Sequence, residues 1–136
     1  GMIPVNPLKE DLEAVVKAAT DGEGCDVFFE CSGAAAAAVQ MTDVTRVRGK
    51  ICMVSVHKQP HEVNLRDVNF KEQTLVGTRV YTKDEFGQAV ELTQRISDEL
   101  ELLISHVLPL SDCANVFDMI HDPQVPTVKV MVDCRR

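Results

Sequence analysis

The stretch Asp26-Val27-Phe28-Phe29-Glu30-Cys31-Ser32-Gly33 constrains this chain more than any other, because a hydrophobic run ends there in two small residues and opens directly onto five alanines, 34–38. Apolar side chains at successive positions call for cover on both faces, as in a buried parallel strand. The alanines read as a helix, so strand feeds helix. Ser32 suits a helix cap, and Gly33 lets another backbone or a ligand come close. In open α/β sheets, ligands sit just outside the carboxyl ends of such strands, which makes this end the expected functional face. The plain alternative for Ser32 and Gly33 is a helix-start turn with no ligand. Glu30 also has two readings: an acid whose pKa is raised by apolar surroundings, or a strand-end carboxylate bonded to a neighbouring turn.

Around this stretch the chain alternates strands and helices, which argues for an α/β fold with a parallel sheet. Asn6 followed by Pro7 reads as a helix start, and Leu8, Leu12, Val15, Val16 and Ala19 form its apolar stripe through Thr20. Asp21-Gly22-Glu23-Gly24 then turns the chain. The alanine helix spans 34–45 and Arg48-Gly49 ends it, followed by a strand at 50–56. Residues 57–61 are loop, and 63–70 are irregular or a single helical turn. A third strand spans 74–81 with Gly77 in its middle. Thr82 and Glu85 form a capping box for a helix that buries Phe86, Ala89, Val90, Thr93 and Ile96 and ends near Ser97. An extended segment at 102–110, a short helix capped by Ser111 and a strand at 127–133, with Val128, Val130 and Val132 on one face, complete the pattern.

Composition excludes several function classes. With 14 basic against 21 acidic residues the net charge is −7, and the one basic pair is Arg135-Arg136, so a nucleic-acid partner is not expected. Aromatics are 4% with no Trp, which leaves little for bases to stack on. Cys25, Cys31, Cys52, Cys113 and Cys134 are odd in number and widely spaced, and read as reduced structural thiols. No signal peptide and no long apolar run is present, so the expectation is a soluble cytoplasmic protein with no membrane partner. Gly1-Met2 reads as a cloning scar followed by an initiator. His57 and His61 are spaced for a metal only on a helix, which Pro60 opposes. No metal site and no catalytic nucleophile is expected in these residues.

Five phrases in order, Asn6-Pro7, the run from Asp21 to Gly33, Arg48-Gly49-Lys50-Ile51, Thr74-Leu75-Val76-Gly77 and Thr127-Val128-Lys129-Val130, resemble the medium-chain, zinc-type alcohol dehydrogenases, with polyol, threonine and butanediol dehydrogenases as the nearest members. The resemblance covers the C-terminal part of that family's cofactor domain. It implies a partial Rossmann-like, doubly wound parallel sheet lacking its first βαβ unit, with residues 1–110 as the second half of the dinucleotide-binding domain and 111–136 as a tail returning toward the catalytic domain. No GxGxxG occurs among these residues.

Carried over by position, the resemblance implies that Cys31, Ser32 and Gly33 lie beside the adenosine ribose and nicotinamide side of the cleft. Val54, Ser55 and Val56 would offer backbone groups to the nicotinamide ribose and carboxamide, and Thr78, Arg79 and Val80 would meet the carboxamide. Lys129 would contact the pyrophosphate, the alternative being a solvated charge on an edge strand. Ser55 stands where the family often has glycine. The implied cofactor is NAD or NADP, NAD being the commoner, with zinc in a domain outside these residues, and neither is expected to bind this chain by itself. The implied function is part of an alcohol or polyol dehydrogenase, inactive alone. The other class of function is a non-catalytic, self-associating module. Either way a homo-oligomer is expected, a dimer through the edge of the 74–81 strand or through the edge at 26–32 left unpaired by the lost strands.

Overall fold

In the computed structural model the described residues are 2–135, so Gly1 and Arg136, named above, lie outside them. The chain falls into two compact units, 1–80 and 81–136.

The first unit is a three-stranded parallel sheet with helices. Its elements are α1 (Leu12–Ala19), β1 (Cys25–Glu30), α2 (Ala35–Val44), β2 (Thr45–Met53), α3 (Leu65–Phe70) and β3 (Thr74–Gly77). The strand order β1-β2-β3 places β2 in the centre, with Phe28, Ile51 and Leu75 in one cross-strand row and Phe29, Cys52 and Val76 in the next. Successive rows face opposite sides of the sheet. The core lies on the side of Ile51, which is fully buried together with Ala38, Met41 and Val44 from α2. The alanines of α2 allow that close approach of helix to sheet, and α1 packs outside α2.

Several boundaries differ from the sequence reading. Asn6 holds only a turn, accepting from the amides of Lys9 and Glu10, whereas α1 begins at Leu12 because the Asp11 carboxylate accepts from the amides of Glu13 and Ala14. Leu8 is therefore outside the helix and 93% exposed. Ser32 is not the N-cap of α2; that position is Ala34, which has no side-chain cap, and the Ser32 hydroxyl accepts from the Ala34 amide instead. Nor does Arg48-Gly49 end α2. The helix stops at Val44, where Gln73 Nε2 donates to the carbonyls of Thr42 and Thr45, Lys71 Nζ donates to those of Thr42 and Asp43, and the Thr45 hydroxyl bonds the Met41 carbonyl. Arg48-Gly49 lies instead in a bulge of β2, between the Cys25 to Thr45 pair and the regular ladder that begins at Lys50. Cover on both faces of β1 also fails: Phe29 is 63% exposed, because the packed helix lies on the other side. β3 stops at Gly77, so the expected strand to 81 is shortened.

The second unit holds α4 (Lys83–Arg95), α5 (Ser97–Glu101), β4 (Ile104–Pro109), a 3-10 segment (Leu110–Asn115), α6 (Val116–His121) and β5 (Lys129–Asp133). β4 and β5 pair in parallel, and the Ser105 hydroxyl bridges their irregular start by donating to the Lys129 carbonyl and accepting from the Val128 amide. The capping box of Thr82 and Glu85 is present. The stripe it introduces is not buried, since Phe86 is 56% exposed and, within its unit, α4 packs chiefly against α5. Ser111 sits inside the 3-10 segment rather than capping α6. On β5, Val130 and Val132 are half-buried, while Val128 precedes the strand and is exposed. Among the described residues no helix is long and apolar enough to cross a membrane.

Candidate functional site

The carboxyl ends of β1 and β2 meet around Glu30, a side chain only 1% exposed. A β-strand alternates its side chains between faces, so the last residue of β1 points into the layer under α2 while its backbone still serves the ladder. The Glu30 carbonyl accepts from the amides of Val54 and Ser55, at 2.9 and 3.0 Å, where β2 ends. Its carboxylate does more. Oε1 accepts from the Ser32 amide at 2.9 Å, the Ser32 hydroxyl at 2.6 Å and the Gly33 amide at 2.9 Å. Oε2 accepts from the Ser55 hydroxyl and lies 3.0 Å from His57 Nε2. Gly33 has φ +69, and a Cβ there would stand 3.5 Å from the Val56 carbonyl, so the two turns touch through their backbones.

Burial raises the pKa of Glu30, but the hydrogen bonds from the Ser32 and Ser55 hydroxyls and from the Ser32 and Gly33 amides outweigh it and bring the carboxyl from 4.5 down to about 2. An acid with a raised pKa is thereby excluded. Glu30 is the strand-end carboxylate that bonds its neighbouring turns, and it is ionised at neutral pH. An ionised carboxylate only accepts, so His57 Nε2 carries the proton and donates. The other ring nitrogen of His57 is buried and has no protein partner. The ring of His61 stands edge-on to His57, with centroids 5.1 Å apart.

Of the residues singled out by sequence, this arrangement brings together Ser32, Gly33, Ser55 and Val56, with Cys31 exposed beside them and Val54 at the end of β2. Val54 and Val56 are 43% and 61% exposed and form the apolar border of the site. Thr78 joins the same end of the sheet, its amide donating to the Met53 carbonyl at 3.0 Å. Arg79 and Val80 follow it and are exposed, and no hydrogen bond ties them to the two turns. Lys129 opens β5 in the second unit and is exposed. Sequence reasoning missed His57, which it left as loop. The signal was its spacing, since Ser55 and His57 two apart in an extended segment face the same side.

This end of the sheet can position groups rather than react. It offers backbone amides and carbonyls, one free imidazole nitrogen and an apolar border, and its one strong acid is committed. Among the described residues no cluster of three or more His, Cys, Asp and Glu could hold a metal ion.

Known proteins resemble this chain in sequence and fold. A family profile described as zinc-binding dehydrogenase matches residues 2–95. The 2-dehydro-3-deoxy-L-galactonate 5-dehydrogenase of Pseudoalteromonas atlantica is 38% identical over 98% of this chain, which spans 39% of that protein. The crystal structure of 2R,3R-butanediol dehydrogenase from Bacillus subtilis superposes with a TM-score of 0.81 at 26% identity, covering 94% of this chain and 37% of that one. A structure from Sinorhizobium meliloti solved with NADP bound gives a TM-score of 0.75 at 26% identity, over 94% of this chain and 38% of its own. The chain thus spans about two fifths of the length of the relatives it matches. The α/β architecture with parallel sheets is that of the Rossmann-like dehydrogenases, and by profile, sequence and fold together the chain belongs to the zinc-binding dehydrogenase family.

Proposed function

We propose that this chain supplies part of the nicotinamide pocket of a zinc-dependent alcohol or polyol dehydrogenase that uses NAD or NADP, NAD being favoured. The observation that carries the reading is the single carboxylate of Glu30, which holds the turns after β1 and β2 against each other at the carboxyl end of a parallel sheet. The residues fit such a ligand: Gly33, at φ +69, brings its turn close to the Val56 carbonyl with no side chain between, and a buried ring nitrogen of His57 has no partner in the protein.

When bound, the nicotinamide carries the hydride and the zinc polarises the alcohol oxygen. The part of this chain is positional. Cys31, Ser32 and Gly33 border the adenosine ribose and nicotinamide side, the backbone of Val54, Ser55 and Val56 lines the nicotinamide ribose and carboxamide, and Thr78, Arg79 and Val80 complete the wall after β3. Lys129 is assigned to the pyrophosphate, and residues 111–136 to the return toward the catalytic domain. Calorimetric titration with NAD(H) tests this. A chain extended upstream to include a Gly-rich turn binds and the 136-residue chain does not; binding by the 136-residue chain alone overturns the claim that the turn is needed.

A second reading, a self-associating module without catalysis, is favoured by the exposed Phe29 and Val76 on the two strands that flank β2. Both readings include a homo-oligomer, formed through the 74–81 edge or the 26–32 edge. Light scattering that returns a monomer at all concentrations counts against that association.

A further inference from the structure

We propose that Glu30 is a positioning residue that locks the two turns into one unit and fixes His57 as the Nε2–H tautomer, leaving Nδ1 as a ready acceptor for a hydroxyl or amide donor. The two carboxylate oxygens divide the work. Oε1 gathers Ser32 and Gly33 from the turn after β1, and Oε2 gathers Ser55 and His57 from the turn after β2. Among the described residues the ionisable group paired with the carboxylate is His57, which has His61 at its ring edge. A group with five protein donors, from four residues, and 1% exposure cannot shift toward one turn without releasing the other. The role as a positioning residue rests on the reading of this end of the sheet as the nicotinamide side.

The test is NMR on the 136-residue chain with no cofactor, so its outcome is separate from the NAD(H) titration. At about pH 8.5, above the ordinary imidazole range, the His57 nitrogens are resolved by long-range proton–nitrogen correlation. Nε2 carries the proton and Nδ1 is bare. In Glu30→Gln amide exchange at Ser32 and Gly33 speeds up roughly tenfold, as expected when a charge-assisted hydrogen bond is lost. Ser55→Ala keeps the carboxylate and removes a partner only from Oε2, yet it also speeds exchange at Ser32 and Gly33. A proton on Nδ1 in the unaltered chain, or Ser55→Ala leaving that exchange unchanged, overturns the proposal. Should Glu30→Gln fail to fold, those two measurements decide it.

Discussion

Arg48 and Glu72 both hold left-handed backbone conformations, with φ of +57 and +51, and face each other across an ion pair of 2.7 Å. The Arg48 amide also donates to the Lys71 carbonyl at 2.7 Å, so the β2 bulge and the turn before β3 are pinned together at two points of backbone strain. A left-handed conformation costs a residue with a Cβ about 1–2 kcal/mol, while an ion pair this exposed returns about 0–1 kcal/mol. Glu72→Gly relieves more than it loses. It raises stability by about 0.5–1 kcal/mol, read as an upward shift in the thermal midpoint.

Gly24 behaves in the opposite way. Its φ is +98, and a Cβ there would stand 2.7 Å from the Val44 carbonyl, where backbone cannot yield. Gly24→Ala therefore destabilises by about 2–3 kcal/mol. Gly22, at φ +88 with open space around it, is the control and loses only about 1 kcal/mol on the same substitution. Urea midpoints of the two variants check the difference.

Gln73 closes the end of α2 by donating one amide group to the carbonyls of Thr42 and Thr45, at 2.9 and 2.7 Å. Lys71 also serves the Thr42 carbonyl, so Gln73→Leu strips mainly Thr45 of its donor. The expected loss is about 1–3 kcal/mol, the cost of a buried acceptor left without this partner, measured by denaturant unfolding.

The carboxyl of Glu30 also sets an acid limit. Its pKa falls from 4.5 to about 2 on folding, so the folded state binds the proton more weakly than the unfolded chain. Its contribution to stability is complete above pH 4.5 and is lost as pH falls toward about 2. Unfolding midpoints measured across that window drop in the unaltered chain and drop less steeply in Glu30→Gln.

The strand from Val27 to Glu30, the helix of alanines and the ladder beginning at Lys50 were legible because apolar runs and small residues speak locally. The helix boundaries were not. Asn6-Pro7 and Asp11 are both residue types that start helices, and the bonds from the Glu13 and Ala14 amides show that Asp11 is the one used. The end of α2 is written some thirty residues away, in Lys71 and Gln73, where no local pattern can show it. The clasp was half legible: Glu30 bonding its own turn follows from proximity, whereas its link to Ser55 and His57 requires the register of β1 on β2.

The row formed by Phe29, Cys52 and Val76 gives the folded first unit a greasy plane, with Phe29 at 63% and Val76 at 44% exposure. At neutral pH the net charge of −7 keeps such planes apart through mutual repulsion. Acidification removes that repulsion well before the carboxyl of Glu30 takes up its proton. Molecules of the chain then stack while still folded, so turbidity precedes unfolding on the way down in pH.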